Sequence, residues 1–167
     1  MIQLILWSCY LDPVADKDGN GMTKEKSKEI QNIVVSLLES GKFDVNAIDI
    51  NDDTTMNIAA MDANMSWLLN YLVRRPDADP NIKNDINFTP FTTALHNKNV
   101  EGAKIIGMRT DLKVTDLDYE VGKENGIDVN SLINPTRFED MGSVEVNSEV
   151  TDKTYHEVLS KIFSNKA

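Results

Sequence analysis

Apolar positions along the chain come in short blocks at helical spacing, divided by polar strings rich in Asp and Asn. Met56, Ala59 and Ala60 fall on one helical face at i, i+3 and i+4, and Phe91, Ala94 and Leu95 do the same. A threonine precedes each block. Thr54 and Thr89 suit an N-cap, because the hydroxyl satisfies an orphan amide at a helix start. Pro90 then stands at the first helical position, where its missing N–H loses nothing. Second helices are expected over 67–73 and 100–108, with Trp67 in the core beside Leu68, Tyr71 and Leu72. The strings "NAIDINDD" and "NIKNDIN" suit tight turns, since Asp and Asn tolerate left-handed backbone.

The blocks are two readings of one pattern. Asp44-Val45-Asn46 aligns with Asp79-Pro80-Asn81, Thr54-Thr55-Met56 with Thr89-Pro90-Phe91, and Ala59-Ala60 with Ala94-Leu95, all at an offset of about 35 residues. A fixed period in that range implies a unit that stacks on copies of itself.

Outside these copies the pattern is less regular. Residues 2–11 are expected to form a buried first helix ended by Pro13, and residues 24–40 a second, with Gly41 as its C-cap. "VEGAKIIGMRTDLKVTDLDYE" reads as a helix and a turn, and "GIDVN" as the end of a shortened further copy. Tyr155, Val158, Leu159, Ile162 and Phe163 share one face of an expected last helix that covers the open end of the stack.

The pieces "LLESGKFDVNAID", "TTMNIAA", "LVRRPDADPN" and "FTPFTTAL" resemble the ankyrin repeat: its leucine pair, its turn before the hairpin, and its Thr-Pro-Leu-His-x-Ala-Ala helix start. The chain departs from the family at its histidine, which is Asn57 in one copy and Thr92 in the other, and at its hairpin glycine, which is Asp52 and Asn87. The resemblance implies an all-α, ankyrin-like helical repeat solenoid with short hairpin loops and atypical capping elements. It implies one domain over 1–167: a capping repeat at 1–46 with an inserted loop at 12–23, repeats at 47–81 and 82–117, and a degenerate repeat with a capping helix at 118–167. It also implies a concave binding surface made of hairpin tips, at 48–53 and 83–88, and the exposed side of each first helix. The candidate partner-binding residues are therefore Ile50, Asn51, Asp52, Asp53, Asn57, Met61, Asp62, Asn84, Asp85, Phe88, Thr92 and His96. Asn64, Thr93 and Asn97 face the same way in this reading. Ile50 and Phe88 stand out as apolar residues in turns, where aromatic side chains often anchor interfaces.

Charge narrows the choice of partner. The formal net charge is −10. Phosphate recognition needs clustered Lys and Arg, so nucleic acid is not expected. Asp49, Asp52, Asp53 and Asp85 give the expected tips a negative field that suits a basic protein. No run approaches the roughly 20 apolar residues of a membrane span. A single Cys9 fits a reducing compartment, and a cytoplasmic location is expected. His96 and His156 are far apart and lack metal-ligand spacing, and no catalytic set emerges. The expected function is a non-catalytic interaction module, monomeric or in a one-to-one complex. Within the resembled family this includes a bacterial inhibitor or immunity protein masking a basic toxin or enzyme; the alternative is a secreted effector or adaptor.

A second alternative rests on Asp16, Asp18, Asn20 and Gly21, which match the first half of a calcium loop, D-x-D-x-N-G. The second half departs: Thr23 stands where a hydrophobic residue belongs and Ser27 where a bidentate Glu belongs. The competing reading is an insertion whose Asp, Asn and Gly residues only make turns. Calcium binding there predicts a rise in melting temperature at millimolar calcium that Asp16→Ala abolishes. An unchanged melting temperature ends that reading.

Overall fold

In the computed structural model, residues 24–134 are described. The expected helix over 2–11, Cys9, the loop holding Asp16, Asp18 and Asn20, and the last helix with His156 lie outside them. The chain divides into two compact units between Asp44 and Val45. In the first, helix α1 (Lys24–Glu39) buries Val34, Val35, Leu37 and Leu38. Gly41 follows at φ 66°, the left-handed backbone expected after a helix end.

The described part of the second unit is helical and contains no β-strand. Its helices are α2 (Thr55–Ala60), α3 (Ser66–Leu72), α4 (Pro90–His96), α5 (Val100–Ile106) and α6 (Asp116–Glu124). Short 3-10 turns stand at Ala63–Met65 and Val129–Leu132. Helix α4 packs between α2 and α6, and α3 packs on α5. Pairs α2/α3 and α4/α5 also pack together, and Val129–Leu132 lies against α5 and α6. The buried side chains Met56, Ala59, Ala60, Phe91, Ala94 and Leu95 are the predicted apolar faces. Trp67, expected in the core, is only half-buried, because Leu68, Leu69, Tyr71 and Leu72 take the inner positions of α3. At Gly107 a side chain would collide with the Leu132 carbonyl, so glycine is what lets the last 3-10 turn close on α5.

Three helix starts use one device. Thr54, Thr89 and Thr115 are the N-caps of α2, α4 and α6. Three residues on stand Asn57, Thr92 and Asp118, all buried. Each bonds back to its threonine: Thr54 Oγ1 donates to Asn57 Oδ1 at 2.7 Å, Thr89 and Thr92 hydroxyls lie 2.9 Å apart, and Thr115 Oγ1 donates to Asp118 Oδ2 at 3.0 Å. Each of the first two also reaches forward. Asn57 Nδ2 donates to the Phe88 carbonyl at 3.1 Å, and Thr92 Oγ1 donates to Asp118 Oδ1 at 2.6 Å.

Three further contacts join the same neighbours. Asn46 accepts from the Asp79 amide and donates to the Asp77 carbonyl; Asn81 accepts from the Lys113 amide and donates to the Asp111 carbonyl. Asn99, the N-cap of α5, donates to the Ala60 carbonyl at the end of α2. Arg109 donates to the Val73 and Arg75 carbonyls while gripping Asp111 with two hydrogen bonds, as Arg75 grips Asp77. These arginines are raised above their ordinary range, chiefly by those bonds, and the two aspartates are lowered by them.

The recurrence shortens after the second turn. The arginine brackets recur after 34 residues, but Thr115 follows Thr89 by only 26, eight fewer. The turn expected ahead of 118 is therefore the first part of helix α6, and a boundary at 117/118 would cut that helix. The chain passes straight from Lys113 to the cap at Thr115, with no second-copy hairpin equivalent in between.

Asn57→Ala removes one cap partner and takes from the half-buried Phe88 carbonyl one of its two donors, the Asn84 amide remaining. A loss of about 1–2 kcal/mol in urea unfolding is expected. Asn64→Ala, at an exposed position, should stay within about 0.5 kcal/mol of the wild type.

Candidate functional site

The two polar strings fold into matching turns. In the first, Asp49 Oδ1 accepts from the amides of Asn51 and Asp53 at 2.8 and 2.9 Å, and the Asp49 amide donates to the Asp53 carbonyl at 3.0 Å. In the second, Asn84 Oδ1 accepts from the amides of Ile86 and Phe88 at 3.2 and 2.9 Å, and the Asn84 amide donates to the Phe88 carbonyl at 2.9 Å. A short side-chain acceptor at the head of the turn thus organises both loops. Asp52 and Asn87 hold φ of 57° and 65°, the left-handed backbone that Asp and Asn adopt more readily than other non-glycine residues. An antiparallel bridge between Ile48 and Thr54 closes the first turn at its base.

The turns are joined edge to edge. The Asp85 amide donates to the Asn51 carbonyl at 3.1 Å, and Asn84 Nδ2 donates to Asp53 Oδ1 at 2.9 Å. Ile50 and Ile86 flank this junction in sequence, one before Asn51 and one after Asp85. Ile50 is 96% exposed and Ile86 59%. Asn51, Asp52 and Asp85 are exposed beside them, while Phe88 is half-buried with its ring centroid 5.3 Å from that of His96 at the exposed end of α4.

Several candidate residues are not on this surface. Asn57 and Thr92 are buried and occupied by their caps and by the next helix, so neither can face a partner; Thr93 is buried too. The third position of each helix turns inward, where the neighbouring copy covers it. Asp53 is likewise buried under the second turn, held by Asn84, which is itself a half-buried structural residue. Met61 is half-buried, and Asp62 caps the turn at Ala63–Met65 through the Asn64 amide. What the fold brings together is therefore Ile50, Asn51, Asp52, Asp85 and Ile86, with Phe88 and His96 behind them. Ile86 is the missed residue, and the signal was available: an isoleucine inside an Asp/Asn turn, like Ile50.

Burial raises the Asp53 carboxyl above the usual range, the Asn84 bond opposes this, and Asp49, Asp85 and Asp52 add to the rise. The tip carboxylates thus feel one another across the junction. Among the described residues no group of three His, Cys, Asp or Glu side chains is arranged to hold a metal ion, and no helix is long and apolar enough to cross a membrane.

No protein-family model, curated protein or solved structure matches the chain.

The Asp53 shift has a definite sign. A raised carboxyl pKa means the folded chain binds the proton more tightly, so Asp53 penalises folding as pH rises from the ordinary carboxylate range through its folded value. Asp77 and Asp111 act oppositely: their contribution is present above the ordinary range and lost as pH falls through their depressed values. Asp53→Asn keeps an acceptor for Asn84 and removes only the Asp53 effect. Its melting temperature should exceed the wild type's at pH 7, and the gap should close under acid conditions. A gap independent of pH contradicts this assignment.

Proposed function

We propose that this chain is a non-catalytic protein-binding module, an ankyrin-like helical solenoid that takes a basic protein partner on its hairpin tips. The observation that carries the reading is Ile50, almost fully exposed on a turn fixed by four hydrogen bonds to and from Asp49. A turn whose backbone is already held forfeits little backbone freedom on binding, and burial of its apolar side chain is favourable. Around it, Asp52 and Asp85 supply negative charge, which favours encounter with a positive surface and disfavours acidic partners.

The rest of the site supports binding rather than chemistry. The carboxylates at the junction hold turns together or face solvent, and His96 leans on Phe88. A single face of this kind suits a one-to-one complex. Within that class, an inhibitor or immunity protein that masks a basic toxin or enzyme fits the charge best, because a negative face complements a positive active-site cleft. Such a protein would act in the compartment of its target, and the cytoplasm is the proposed one.

The test is capture of the partner from the source cell, followed by titration calorimetry with variants. Ile50→Ala should weaken the complex about tenfold, equal to ~1.4 kcal/mol. Asp52→Asn removes a charge while keeping a residue that tolerates the left-handed turn, and Asp85→Lys reverses one. Together these two should slow association and flatten its salt dependence. Unchanged affinity in all three variants, or a partner with an acidic contact surface, contradicts the proposal.

A further inference from the structure

The shortened third copy leaves one edge of the hairpin pair without a successor. The first turn is covered by the second through a defined set of contacts: the Asp85 amide donates to the Asn51 carbonyl, and the Asn84 amide group to Asp53. One period on, the equivalent positions are Ile86 and Phe88. Eight residues are missing where a third turn would stand, so no third turn follows. Among the described residues the Ile86 carbonyl accepts no backbone hydrogen bond, and its side chain is 59% exposed. An exposed backbone acceptor of this kind is free to take an N–H from another segment.

We propose that the outer edge of the second hairpin, at Ile86 and Phe88, docks an extended basic segment of the protein partner in the place of the missing third turn. The proposal rests on the protein-binding reading above and assigns the partner's chemistry at one edge. The interface between the first two turns specifies what fits. A backbone N–H of the segment donates to the Ile86 carbonyl, as the Asp85 amide does to Asn51. Where Asn84 meets Asp53 in the first junction, the second presents Phe88 backed by His96, so the segment brings an apolar or aromatic side chain rather than an amide. Asp85, exposed on the same turn, favours flanking Lys or Arg.

Charge also decides against a second copy of this chain as occupant. Its first turn would bring Asp49 and Asp52 against Asp85. The junction inside the chain already shows the consequence of such crowding, since Asp49, Asp85 and Asp52 all push the Asp53 carboxyl up. An intermolecular copy of that contact adds like charges without the covalent connection that holds the first pair together. A basic segment removes the repulsion instead.

The experiment is an amide and ring NMR titration of the full chain with a synthetic eight-residue peptide in which lysines alternate with valine and phenylalanine. The expected result is shift changes centred on residues 85–88 and the His96 ring. N-methylation of one backbone nitrogen of the peptide, tested position by position, should weaken binding about tenfold at a single register. Ile86→Lys, at an exposed position, should abolish binding with no change in melting temperature. Shifts centred on Ile50 and Asp52 and absent from Ile86 and Phe88 overturn the edge assignment and leave the tip-binding reading standing. Equal binding of a glutamate-for-lysine peptide overturns the basic character of the segment. No shift at millimolar peptide overturns the proposal, whereas the broader reading fails if the Ile50, Asp52 and Asp85 variants leave the captured complex unchanged or the captured partner has an acidic contact surface.

Discussion

The structure depends on buried polar groups that are completed by a neighbouring segment. Asn57 satisfies its own helix cap and then the Phe88 carbonyl; Thr92 satisfies its cap and then Asp118. Burying such groups without partners is expensive, at roughly 1–3 kcal/mol for each. The starts of α2 and α4 are therefore complete only when the segment that follows is in place. Apolar contact between Ala59, Ala60, Phe91, Ala94 and Leu95 supplies attraction, but it has no direction. The hydrogen bonds set the register, and a shift by one residue would strand several of them together.

The same constraint fixes the surface. Because the helix starts are locked, the turns leading into them are locked, and Asn84 ties one turn to the next through Asp53. The tips then need no partner to take their shape. Two features cost stability and remain: a carboxylate pushed up by burial and by like charges, and isoleucines left in water at the tips. Stability alone would select asparagine and a polar residue at these sites, which is the physical reason to look for function there.

Much of this was legible because it is local. Thr54, Thr89 and Pro90 announce helix starts by chemistry within a few residues, and the Asp/Asn strings announce turns that need left-handed backbone. The apolar faces of α2 and α4 followed from spacing. Asn57 and Thr92 were misplaced on the surface because their partners, Phe88 and Asp118, lie 31 and 26 residues away, beyond any local pattern. Helix α6 was hidden for a related reason: the missing eight residues broke the period that had made the earlier copies visible. Ile86 was overlooked although its neighbourhood matched that of Ile50.

Side chains bond from one helix start to the next, and a double-mutant cycle on Thr92 and Asp118 measures such a bond directly. Thr92→Val, Asp118→Ala and the double variant are compared with the wild type by urea unfolding. A bond of 2.6 Å between a buried hydroxyl and a buried carboxylate predicts a coupling of about 1–2 kcal/mol. A coupling indistinguishable from zero would mean that apolar packing alone sets the register, and the account would be wrong at its base.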